Sequence, residues 1–162
     1  MSKTLVLFYS YEGNTKKIAE LIANNIGADI EEIKPVNEMR AKGFGKYMWG
    51  GAQVVMKKRP ALKSLQVNLK EYDTIFLGSP VWASTFSPPV YSLLENGYLT
   101  GKKIAFFHCH EGGPGKAEEH ARTAIEKENT FLSTYGCLNV ATDFESLQEP
   151  VIAWAKETIS QA

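Results

Sequence analysis

Three near-continuous apolar runs, at residues 3–9, 73–79 and 102–109, constrain this chain more than any other feature. They are too short to span a bilayer and too uniformly apolar for strands with one wet face. Strands read this way when helices cover both faces of a parallel sheet. The intervening segments carry helical periodicity. Ile18, Leu21, Ile22 and Ile26 recur at three- and four-residue spacing and stop at Gly27. Ser87 followed by Pro88 reads as an N-cap and first-turn proline, with Val90, Leu93 and Leu94 behind it. Ala117, Ala121, Ala124 and Ile125 line a further helix, and Pro150 is expected to open the last, with Val151, Trp154, Ala155 and Ile159 as its apolar face. Weaker runs at 28–34 and 137–142 read as edge strands, the first marked by Asp29, Glu31 and Glu32. The expectation is an α/β fold, a doubly wound five-stranded parallel sheet with helices on both faces and right-handed crossovers.

At 162 residues, without an internal repeat or linker, one domain over 1–162 is expected. A content of 44% hydrophobic and 22% charged residues suits a globular chain with a sizeable core. Formal net charge is zero, so there is no electrostatic case for nucleic acid or an anionic membrane as partner. Cys109 and Cys137 each lie in or beside an apolar run, where free cysteine behaves as a small buried hydrophobe. With no basic, apolar leader ending in a small-residue cleavage site, the reading is a reducing, cytoplasmic setting.

The segment after the first strand carries the chemistry. Ser10-Tyr11-Glu12-Gly13-Asn14-Thr15 joins a strand to a helix start. Helix-initial N–H groups lack intrahelical acceptors, and the helix dipole favours an anion there. Ser10, Asn14 and Thr15 add side-chain donors, and Gly13 lets the backbone approach the ligand. The lysine of a nucleoside-triphosphate loop is missing, which points to a single phosphate held by neutral donors. The alternative is an ordinary helix N-cap at Asn14 or Thr15 that binds nothing.

Strand, S-x-x-G-N-T, helix resembles the phosphate loop of the flavodoxin family. Ser10, Gly13 and Thr15 follow the family pattern, whereas Glu12 stands where threonine is common, so its side chain is expected to face solvent. The resemblance implies strand order 2-1-3-4-5, FMN as cofactor, and a site in the loops after strands 1, 3 and 4. After strand 3 comes Pro80-Val81-Trp82-Ala83-Ser84, in which the family likeness gives Trp82 the role of stacking on the flavin. Plugging the sheet against a helix is the other role open to that ring. After strand 4 comes His108-Cys109-His110-Glu111-Gly112-Gly113, with Cys109 to Gly113 read as cradling the polar edge of the flavin. No tyrosine is present there to cover the second flavin face, which leaves it open or under His110. A metal site built from His108, Cys109, His110 and Glu111 is disfavoured because adjacent residues do not readily wrap one tetrahedral ion. His120 reads as solvated.

The resemblance also carries departures. In many flavodoxins a glycine follows the tryptophan and its peptide turns over as the flavin is reduced; here Ala83 occupies that position, and its Cβ is expected to resist a positive φ. Ser84 stands where an acidic residue is frequent. The segment Gly43–Gly51, rich in glycine and aromatics, and the basic Lys57-Lys58-Arg59 read either as a loop packed over the sheet edge or as a lip over the flavin.

The resemblance implies an electron-transfer flavoprotein that passes electrons to a redox partner protein or a small acceptor, as a monomer or weak homodimer. The alternative is an FMN-dependent NAD(P)H:quinone or azo reductase. A signalling receiver domain shares the topology but needs carboxylates where this chain has Ser10 and Ser79. A flavin-free interaction module also shares it, because a fold alone does not dictate function.

Overall fold

Alternation along β1 (Thr4–Phe8) and the residue after it divides the molecule into two apolar layers. Leu5, Leu7 and Tyr9 enter one layer, and Val6 and Phe8 enter the other, as the two-residue period of a strand requires. The structure is a computed structural model that describes residues 2–37 and 59–162. The segment 43–51 and the Lys57-Lys58 pair lie outside the described residues.

Five parallel strands form the sheet in the order β2 (Asp29–Glu32), β1, β3 (Thr74–Trp82), β5 (Lys103–His110), β6 (Thr130–Leu138). Counting only these strands, the order is 2-1-3-4-5, as expected. The two-residue β4 (Thr85–Phe86) folds back on the end of β3. On one face lie α1 (Asn14–Ile26) and α4 (Val140–Gln161), whose Ile18, Ile22, Val151 and Ala155 meet Val6, Phe76, Ala105 and Phe107. On the other lie α2 (Pro88–Glu95) and α3 (Ala117–Ile125), whose Val90, Leu93, Ala121 and Ile125 meet Leu5, Leu77, Ile104 and Phe106. Burial of each of the larger of these side chains contributes about 1.5–3 kcal/mol, so the two layers supply the main driving force. No helix among the described residues is long and apolar enough to cross a membrane.

Three boundaries differ from expectation. The last strand covers 130–138 rather than 137–142, in register with β5 from Lys103↔Thr130 to His110↔Leu138. Its polar residues disguise it in the sequence, and α4 satisfies the serine among them: Ser133 Oγ lies 2.8 Å from Thr158 Oγ1 and accepts from Trp154 Nε1 at 3.1 Å. The last helix starts at Val140, not Pro150, with Asn139 in the left-handed region as its N-cap and a kink at Asp143. Pro150 is tolerated inside it because it is exposed, so the carbonyl that loses its partner can turn to water. Finally, β3 runs on through Pro80, Val81 and Trp82, and β5 through Cys109 and His110. Strand hydrogen bonding therefore reaches residues that the sequence places in loops.

Candidate functional site

At the carboxyl edge of the sheet, the ends of β1, β3 and β5 enclose a cleft of about 180 Å³. All the expected site residues except Gly13 and Ala83 line it, and Val140 joins them from the start of α4. Val140 was hidden by the misplaced last strand. Its signal lay in Asn139, a residue that tolerates the left-handed turn joining a strand directly to a helix.

The first wall is the turn into α1. Gly13 is its N-cap, with φ of 98°, a conformation that a Cβ would strain. Asn14 and Thr15 are therefore the first helical residues rather than caps. Ser10 Oγ accepts from the N–H of Gly13 at 3.1 Å and of Lys16 at 3.2 Å, which ties the turn to itself. The N–H groups of Asn14 and Thr15 lie between these and take no acceptor among the described residues. They sit at the positive end of the helix dipole, with both residues lining the cleft. Glu12 is exposed, as its charge requires.

The second wall is the β3–β4 hairpin. Val81 pairs with Phe86 and Trp82 with Thr85, leaving Ala83 and Ser84 as a two-residue turn. Their φ values are 46° and 64°. Such turns favour glycine, asparagine or aspartate, so the expectation that Ala83 resists a positive φ is overturned: it already holds one. Tertiary contacts maintain the strain. The N–H of Lys116 donates to Ser84 O at 2.8 Å, and Gly115 lies so close that a Cβ on it would sit 2.7 Å from Ser84 Cα. Trp82 packs partly on the core and partly lines the cleft. Edge contacts with Tyr9 at 5.7 Å and Tyr11 at 5.8 Å hold its ring plane. The packing role and the cleft-lining role thus coexist.

The third wall is the end of β5. Strand alternation sends Cys109 into the layer of α1 and α4, while His108 stacks on Phe106 at 5.6 Å and on His110 at 5.4 Å. The buried His108 places Nε2 2.8 Å from Glu118 Oε1. Burial lowers the pKa of His108 against the pull of Glu118. Burial and then the neighbouring His108 lower that of His110, with Glu118 opposing. Cys137 sits beside Cys109 in register, and that thiol together with burial pushes it well above the ordinary thiol range, so it remains a thiol and not a nucleophile. His120 is not solvated: its Nδ1 lies 2.8 Å from Thr85 Oγ1, which is 3.0 Å from Tyr91 OH.

The turn into α1 and Trp82 line one cleft at the edge of a parallel sheet, and a family model matches the chain that carries them. The flavodoxin model covers residues 3–151. This chain belongs to the flavodoxin family. It is 30% identical over 140 residues to the flavodoxin-like domain-containing protein BilS of Clostridioides difficile (strain CD3), matching 83% of this chain. The chain spans about 65% of the length of that curated relative. A flavoprotein of Lactobacillus acidophilus NCFM, solved in complex with FMN, is 25% identical with a TM-score of 0.71, over 90% of this chain and 98% of that one. Oxidised Flavodoxin 1 of Bacillus cereus, at 22% identity and a TM-score of 0.59 over 99% of each chain, shares the fold.

Proposed function

We propose that this flavodoxin-family chain binds FMN across the cleft and serves as an electron-transfer flavoprotein. The observation that carries the reading is the pair of N–H groups of Asn14 and Thr15, left without an acceptor among the described residues where the helix dipole points into the cleft. A phosphate monoester there completes their hydrogen bonding. Trp82 supplies an aromatic wall, and stacking on a flat ring system adds about 0.5–1.5 kcal/mol beyond area burial. Beyond the end of β5, Gly112 and Gly113 line the cleft without side-chain bulk, so a ligand can approach their backbone. FMN, when bound, supplies the redox chemistry; the protein binds, orients and tunes it. The complex of the Lactobacillus relative with FMN supports the choice of cofactor.

Charge-assisted hydrogen bonds contribute about 1.5–3 kcal/mol each, so two to the phosphate should favour FMN over riboflavin by about a hundredfold or more. Fluorescence titration of the apoprotein with both flavins measures this directly, and equal affinities would refute the site. Anaerobic absorption spectra separate carrier from reductase. In a carrier, the flavin band persists with NADH or NADPH and bleaches only with dithionite or a separate reductase. Rapid bleaching by either nicotinamide would make the chain a reductase instead.

A further inference from the structure

Beside the anion turn, the cleft contains a group that binding and stacking leave unexplained. His110 lines the cleft, yet its Nδ1 is buried and has no hydrogen-bond partner among the described residues. A buried imidazole nitrogen without a partner costs free energy, and His110 carries this one at the wall of the cleft. The neighbourhood is built around the ring. Gly136 of β6 faces the histidine pair, and a Cβ on it would come within 2.7 Å of His108 Cε1 and 3.4 Å of His110 Nε2. Glu118 of α3 holds His108 through Nε2.

We propose that His110 is the proton-accepting residue of this redox site, neutral when the bound flavin is oxidised and protonated when the flavin is reduced. This rests on the FMN reading above. A one-electron donor, protein or dithionite, loses one electron, and the flavin gains it together with one negative charge. A proton from bulk water, reached through the open cleft, bonds to the lone pair of the unprotonated imidazole nitrogen of His110. No bond forms between protein and cofactor, and the net charge of the site is unchanged.

The groups around His110 suit the role. From β5 comes His108, whose deep burial opposes its own charging. From α3 comes the Glu118 carboxylate, which favours a charged His110. On the same side β6 presents Thr134, Gly136 and Leu138, none of which titrates in this range. Glu111 follows in the chain, and Tyr11 and Glu12 line the cleft across from it. Burial favours the neutral ring; added negative charge in the same cleft favours the imidazolium.

The test is the midpoint potential of the FMN-loaded protein between pH 5 and 8, for wild type and His110→Asn. The wild type should lose potential with rising pH more steeply than the variant, over the interval between the two His110 pKa values. The added slope approaches one tenfold shift in the redox equilibrium per pH unit per electron, or 59 mV. Glu118→Gln, which removes only the carboxylate charge, should move that interval to lower pH. Imidazole NMR of the wild type provides a reading without any variant: His110 should titrate at least one pH unit higher in the reduced protein than in the oxidised one. Normal FMN binding with equal slopes, or with His110 titrating at the same pH in both states, overturns the proposal alone. Failure to bind FMN overturns it together with the site on which it rests.

Discussion

Two turns bound the same cleft and are held in opposite ways. The turn at 10–15 places its one left-handed residue at a glycine and bonds to itself through Ser10 Oγ. The turn at 83–84 places two residues with side chains in the left-handed region, and is clamped from thirty residues away by Gly115 and the Lys116 N–H. The first is stable by its own sequence. The second stores backbone strain that surrounding contacts balance, a pattern found at functional sites.

The largest test of this contrast is Gly115→Ala. Positive φ costs an alanine about 1–2 kcal/mol, and the collision with Ser84 adds about 1–3 kcal/mol. Urea denaturation should show a loss of about 2–5 kcal/mol; a loss under about 1 kcal/mol would mean that the clamp is soft. Gly13→Ala carries the same type of strain but meets nothing within 4 Å. It should cost only about 1–2 kcal/mol of stability, while weakening FMN more than riboflavin. Equal stability losses in the two variants would erase the distinction between a self-contained turn and a clamped one.

The wall at the end of β5 carries the buried His108, so acid should reach it first. An unfolded histidine titrates near pH 6.5, and folded His108 titrates lower because of burial. Below 6.5 the unfolded chain binds a proton that the native one refuses. The contribution is therefore complete above pH 6.5 and falls as pH drops, until folded His108 also charges, by at most about 1.4 kcal/mol per pH unit. Hydrogen exchange between pH 7 and 5 should accelerate in amides of 108–118 more than in those of 10–15. Uniform acceleration would place the sensitive group elsewhere. The smallest effect belongs to Ser84→Gly. Relief of about 1–2 kcal/mol of strain, less about 0.5–1 kcal/mol of added unfolded-chain entropy, should leave a net gain of about 0.5–1 kcal/mol. A net loss in thermal melting would show that Ser84 is not strained.

The walls of the site differ in how far they can be read without a fold. Ser10, Gly13, Asn14 and Thr15 are recognisable because their bonds run within six residues. Trp82 is recognisable as the aromatic residue after an apolar strand, but not the edge contacts with Tyr9 and Tyr11 that hold its ring plane. Val140 is invisible while Thr130–Leu138 reads as polar, and only Thr158 and Trp154 on α4 explain its serine. His120 looks solvated until Thr85, thirty-five residues away, is placed beside it.

Beyond the strand order, which the family resemblance implied, the sequence by itself determined the parallel sheet, the helices on both faces and the tight turn at 10–15. Each of these follows from periodicity or from hydrogen bonds between near neighbours. Only the tertiary structure decided that Ala83 and Ser84 turn left-handed, that Pro150 lies inside a helix, and that His110 lines the cleft with Nδ1 unpaired among the described residues. Those outcomes depend on groups distant in sequence, such as Gly115, Gly136 and Glu118. Local preference is worth about 1 kcal/mol per residue, and packing or hydrogen bonding from a distant segment is large enough to override it.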